Sequence, residues 1–307
     1  MINRTLIRLK IVQLMYSYYQ QSGKNINSVE LELEKSLSKA YDLYNYMLWL
    51  ITDVTRYADE EIEQKEQINK FAHKVETISH RFIDNQFAAQ LAVNKQLLEF
   101  KENQNQLWVN YPDYLRKLYA DIQQLDEYEE YMNKVSVEYN DDREFWRKVY
   151  KNIIMKDERI DEILEEQSLY WNDDKEIVDT FVLKTIKKFE PQLQENQELL
   201  PEFKDEEDRE FAIMLLRTSI LHEDEYKSMI MQNTRNWDFE RLPLMDVIIM
   251  QVALSEILNF PNIPVSVTIN EFVEISKYYS TQKSAGYING ILDNVARQLK
   301  ASGKIMK

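Results

Sequence analysis

The sequence predicts an all-α protein. Three observations carry this. Only four glycines occur in 307 residues, at 23, 286, 290 and 303, too few for the hairpins and bulges of a sheet protein. The six prolines stand at 112, 191, 201, 243, 261 and 264, mostly where apolar periodicity stops. Between them apolar residues return every three or four positions over long stretches.

Residues 3–20 read as the first helix, with Ile7, Ile11, Leu14, Met15 and Tyr18 on one face and Asn3 as its N-cap. Residues 21–28 are a polar loop. A second long helix starts near Ser28 and passes through an aromatic-rich stretch with Tyr41, Tyr44, Tyr46 and Trp49, read as core. Residues from about 59 are polar and helical, another helical stretch spans about 82–104, and Pro112 precedes a helix over 114–132. His73 and His80, placed on one helix face, lack a third ligand at fitting spacing, so they read as half-buried side chains and no metal site is expected.

An internal repeat follows. Asp142-Arg143-Glu144-Phe145 returns 66 residues later as Asp208-Arg209-Glu210-Phe211. The same offset pairs Ile154 with Ile220, Ile163 with Met229 and Trp171 with Trp237, and after a one-residue gap Asp179 pairs with Asp246. This reads as duplication of a helix pair, the first copy spanning 142–189. Residues 191–206, with two prolines and five acids, read as a linker or exposed turn. Helices are then expected over 211–231 and 245–258, the latter buried all round. Pro261 and Pro264 stop it. Thr268 and Glu271 have capping-box spacing, and a last helix starts near Ser284. The domains expected are 1–58, 59–204 and 205–307.

Composition excludes several chemistries. With no Cys there are no disulfides, thiolate metal sites or Cys nucleophiles. No Gly-rich phosphate loop can be drawn, so no nucleotide cofactor is expected. The acids recur as solvated helix faces rather than as a pair beside a His or metal cluster, so no enzyme is expected. Neither a signal peptide nor a membrane-length apolar run is present, which predicts a cytoplasmic protein without a membrane partner. The net charge is −15, yet residues 1–24 carry +4 and residues 271–307 carry +3. If those ends meet, they make a local positive site on an acidic body.

The C-terminal third then resembles the NusB family of transcription antitermination factors. The residues that carry the resemblance are Asn262-Ile263-Pro264-Val265, Ile269-Asn270-Glu271-Phe272-Val273-Glu274-Ile275-Ser276-Lys277 and Tyr287-Ile288-Asn289-Gly290-Ile291-Leu292-Asp293. The first helix, Arg4-Thr5-Leu6-Ile7-Arg8-Leu9-Lys10-Ile11-Val12-Gln13-Leu14-Met15-Tyr16, resembles the family's opening. The resemblance implies two small helical bundles, here enlarged by a helical insertion over 59–204. It also implies binding of boxA RNA from ribosomal operon transcripts, as a heterodimer with a small-subunit ribosomal protein of the NusE type. That complex joins RNA polymerase with other Nus factors.

Six residues are the expected RNA site: Arg4, Arg8 and Lys10 for phosphates, Tyr287 for stacking, and Lys283 with Ser284 at a helix N-terminus. Without the resemblance, Tyr287 reads as a core-edge tyrosine. Tyr16, Glu240 and Asp246 fall on the family's partner-facing surface; Asp246 reads equally as a charge favouring a helix dipole. Neutralising two to four phosphates predicts a salt slope of about −1.4 to −2.8. The alternative reading is an acidic helical chaperone for the ribosomal protein, with little RNA affinity.

Overall fold

The structure, a computed structural model, describes residues 1–20, 25–75, 77–104, 108–234 and 242–307. Among these it is all-α: fourteen α-helices and short 3₁₀ turns, with one isolated β-bridge between Ile2 and Phe203. No described helix is long and apolar enough to cross a membrane. Contacts divide the chain into two compact units, Met1 with Lys39–Pro201, and Ile2–Ser38 with Glu202–Lys307. These bounds differ from the breaks expected at 58 and 204. Helix α2 runs without interruption from Ile26 to Phe71, so no break falls at 58. The acidity is also unevenly shared. The first unit holds 21 basic and 34 acidic residues, net −13; the second holds 17 and 19, net −2.

In the first unit, α2 is followed by α3 (Gln86–Ala92), α4 (Lys95–Glu102), α5 (Pro112–Gln123), α6 (Asp126–Met132), α7 (Tyr139–Asn152), α8 (Glu158–Gln167) and α9 (Lys175–Lys188). The expected helix over 82–104 is two helices. Asn85 and Asn94 each turn a side-chain oxygen onto a backbone N–H two residues inside the helix start, so each begins a new one. His73 and His80 are not on a helix face. α2 ends at Phe71, and His73 takes a left-handed φ of 50° in the turn that closes it. Both are exposed, and His80 pairs with Glu66 at 2.6 Å. The aromatic core centres on Phe82, which meets Trp146 at 5.5 Å and Tyr119 at 5.1 Å between ring centroids. Residues 191–200 are strapped down rather than free: Gln90 donates to the carbonyls of Glu190 and Gln194, and Asn94 to that of Gln197.

A half-buried cation makes this unit's stability depend on pH. Lys101 donates to Thr52 Oγ1 at 3.0 Å and lies 4.8 Å from the Trp49 ring centroid. Burial pulls its pKa down to about 8 against the opposing charge of Asp53. Between that value and about 10.4 the unfolded chain holds more protons than the native one, so stability rises with pH there. The native protein is expected to gain stability relative to Lys101→Met between pH 8 and 10, read from urea midpoints.

The second unit holds α1 (Arg4–Gln20), the start of α2, α10 (Glu206–Leu221), α11 (Glu223–Asn233), α12 (Leu244–Asn259), α13 (Val265–Tyr279) and α14 (Gln282–Ala301). α12 is the central rod; every residue from Asp246 to Ile257 is buried, because α1, α10, α11, α13 and α14 all pack on it. Asn3 caps α1 as expected, its Oδ1 accepting the N–H of Leu6 at 2.9 Å. The capping box at Thr268 does not form. α13 starts three residues earlier, after Pro264, so Thr268 lies inside it and donates to Glu256 at 2.7 Å. Glu271 instead accepts from Thr5 and Arg8.

The repeat maps onto like-ordered helices. α7 packs on α9 with α8 between them in sequence, and α10 packs on α12 with α11 between. Phe145 and Phe211 are both buried, as are Asp179 and Asp246. Trp237 lies outside the described residues.

Candidate nucleic-acid interface

The expected site residues fall into two groups at opposite ends of α12. Arg4 binds Asp208 at 2.9 Å and Glu207 at 2.7 Å. The Arg8 side chain is 4% exposed and grips Glu256, itself 0% exposed, through two N–H donors at 2.7 and 2.9 Å. A third donor reaches Glu271 at 3.1 Å. Lys10 is buried as well. The reason lies in α1, where every residue from Leu6 to Val12 is buried against α10, α12 and α13. An enclosed helix leaves no outer edge for Arg8 and Lys10. The expectation that these two face phosphate is therefore corrected, and only Arg4 keeps partial exposure.

The other group gathers where α13 ends and α14 begins. Asp246, in the first turn of α12, is buried and accepts a hydrogen bond from Ser280 Oγ. Ser284 Oγ lies 2.9 Å from Ser280 Oγ and 2.9 Å from Thr281 Oγ1, and Thr281 caps α14 through the N–H of Ser284. This fixes the start of α14 at Gln282, two residues before the expected Ser284. Tyr287 is half-buried one turn later, and burial together with the charge of Asp246 raises its hydroxyl pKa. Lys283 is exposed one turn before Tyr287. A Cβ built at Gly286 or Gly290 meets nothing within 4 Å, so this helix face is open to close approach.

Arg8 thus marks the Glu256 end of α12 and Tyr287 the Asp246 end. Ten residues separate those carboxylates, about 15 Å of helix. The single patch of α1 cations and Tyr287 does not form. What α1 brings near the Tyr287 corner is polar: Gln13 donates to Tyr279 Oη at 2.7 Å, and Tyr16, one turn on, is 40% exposed. Asp246 is too buried to present its carboxylate to a partner, which favours its helix-dipole reading. Glu240 lies outside the described residues. Sequence reasoning missed Thr281 and Ser280, although a Ser-Thr pair just before an apolar-periodic run is a cap signal.

Comparison with known proteins adds the family. A model of the NusB family matches residues 179–297, from within α9 to α14. Transcription antitermination protein NusB of Natranaerobius thermophilus is 53% identical over 76 residues, 25% of this chain and 52% of that protein. Its namesake in Koribacter versatilis is 38% identical over 100 residues, 33% of this chain and 68% of that protein. The one in Finegoldia magna is 42% identical over 91 residues, 30% of this chain and 66% of that protein. The chain therefore spans from about half to about two thirds of the length of these relatives. A relative 38% identical and covered over 68% of its length, with the family's model running through the helices that build the α12–α14 corner, means that the chain belongs to the NusB family.

Proposed function

We propose that this protein is a transcription antitermination factor. It binds boxA-type single-stranded RNA of ribosomal operons together with a small-subunit ribosomal protein of the NusE type, and joins RNA polymerase with other Nus factors. It works in the cytoplasm as a binding protein and catalyses no reaction. The helices between the start of α2 and the family match are an inserted helical body, and α7–α9 duplicate α10–α12. The observation that carries the reading is the corner of α14: Tyr287 beside an exposed Lys283, on a helix face opened by Gly286 and Gly290, inside the stretch matched to the family. Bases stack on the tyrosine ring, the lysine meets a phosphate, and the glycines admit the strand. Tyr16 remains the proposed contact to the ribosomal protein.

Arg4 and Arg8 are spent on carboxylates and Lys10 is buried, so few phosphates are neutralised here. With one or two, the slope of log affinity against log salt is expected to be about −0.7 to −1.4, shallower than the sequence alone suggests. Fluorescence anisotropy with boxA RNA, with and without the ribosomal protein, tests the reading. Tyr287→Ala is expected to cost about 1–3 kcal/mol of RNA binding, and Lys283→Ala to flatten the salt slope by about 0.7. Partner binding with no RNA contribution at any salt would instead favour the acidic chaperone, a reading supported by the pairing of Arg4 and Arg8.

A further inference from the structure

Helix α8 of the first unit lies outside the stretch matched to the family. It buries Ile160, Ile163 and Leu164. Its remaining surface carries Glu158, Asp161, Glu162, Glu165 and Glu166 within ten residues. Three of their pairings are like charges four apart, which destabilise a helix. The chain does little to offset them. The helix's one cation, Arg159, is taken by Asp157 at 2.7 Å and Asp121 at 2.6 Å. Glu166 accepts from Tyr111 Oη at 3.0 Å, while Asp161, Glu162 and Glu165 have no ion-pair partner among the described residues.

Beside this face lies a cavity of about 120 Å³, lined by Asp161, Leu164, Glu165, Trp171, Asn172 and Lys175. Leu164 and Trp171 are buried and make it partly apolar. The Lys175 ammonium is committed elsewhere, 2.8 Å from Asp179 and within reach of the Ile154 and Met155 carbonyls. Asp161 is exposed, and its partial burial raises its pKa against the pull of Lys175. Leu169, two residues before Trp171, is 78% exposed.

We propose that this face docks a basic segment of a partner protein, one of whose Lys or Arg side chains enters the cavity between Asp161 and Glu165. The methylene stem of that side chain lies on Leu164 and Trp171, its charged head meets the two carboxylates, and an apolar neighbour covers Leu169. A nucleic acid is repelled by a unit of net charge −13. A small cation leaves Glu162 and Leu169 unused, which favours an extended partner. This inference is independent of the RNA reading.

The test uses the full chain and a fluorescein-labelled peptide of alternating arginine and leucine, six residues long, at about 150 mM salt. Asp161→Asn with Glu165→Gln is expected to weaken binding about tenfold, and Leu169→Ser about threefold. Glu129→Gln with Glu130→Gln removes the same charge from α6 and is expected to change it less than about twofold. The α8 substitutions relieve like-charge repulsion, so circular dichroism is expected to find the fold intact. Failure of the peptide to bind overturns the proposal. So do equal losses in the two double variants, which mean diffuse attraction, or competition by spermidine at matched charge, which means a small-cation site.

Discussion

Replacing Arg8 by Ala is expected to cost about 3–5 kcal/mol of folding stability. The substitution removes one partner of a buried ion pair and strands the other. Glu256 is fully buried, and two of its bonds come from the Arg8 fork. Thr268 still donates to it, but one hydroxyl cannot offset a carboxylate charge in a dry interior. Arg8→Lys keeps the charge and loses the paired geometry, so it is expected to fall between wild type and Ala. Arg8→Met combined with Glu256→Met removes both charges and is expected to recover most of the loss. Urea denaturation of the four proteins checks the ordering. Where the variants stay folded, their boxA affinity is expected to match wild type, because Arg8 does not face solvent.

The second large effect belongs to the first unit. Trp146→Ala is expected to cost about 3–5 kcal/mol. Its ring is fully buried, with centroids 5.5 Å from Phe82 and 6.0 Å from Phe145. Opposing this, its Nε1 is buried without a hydrogen-bond partner among the described residues, a defect costing about 1–3 kcal/mol that truncation removes. The cavity left by the indole wins because its two aromatic neighbours, Phe82 and Phe145, cannot both close over it. Trp146→Phe separates the two contributions. It deletes the orphan donor and keeps much of the ring, so it is expected to cost less than about 1.5 kcal/mol. Thermal unfolding of both variants reads this.

Helix existence was legible in the sequence because apolar period and scarce glycine act locally. Helix bounds were less so wherever a side chain serves a distant partner. Thr268 and Glu271 have capping-box spacing, yet both are drawn into the Arg8–Glu256 network on other helices. Histidine placement failed for a similar reason: α2 closes with His73 in a left-handed turn, which no periodicity announces. The α14 end of the site was readable from its motif, while its Ser280–Thr281 cap was missed. The α1 end was not, since Arg4 and Arg8 look like free cations until the fold sets Glu207, Asp208, Glu256 and Glu271 against them. Charge counted along the chain gave two basic ends. Charge counted by compact unit places nearly all the excess acid in residues 39–201.

The central claim is that RNA meets this protein at the start of α14 and not along α1. Photo-crosslinking of boxA RNA carrying 4-thiouridine, in complex with the ribosomal protein and followed by peptide mass spectrometry, addresses it most directly. The expected adducts fall on the peptide holding Lys283 and Tyr287. Adducts confined to residues 4–10 or to 39–201, with none on that peptide, would contradict it.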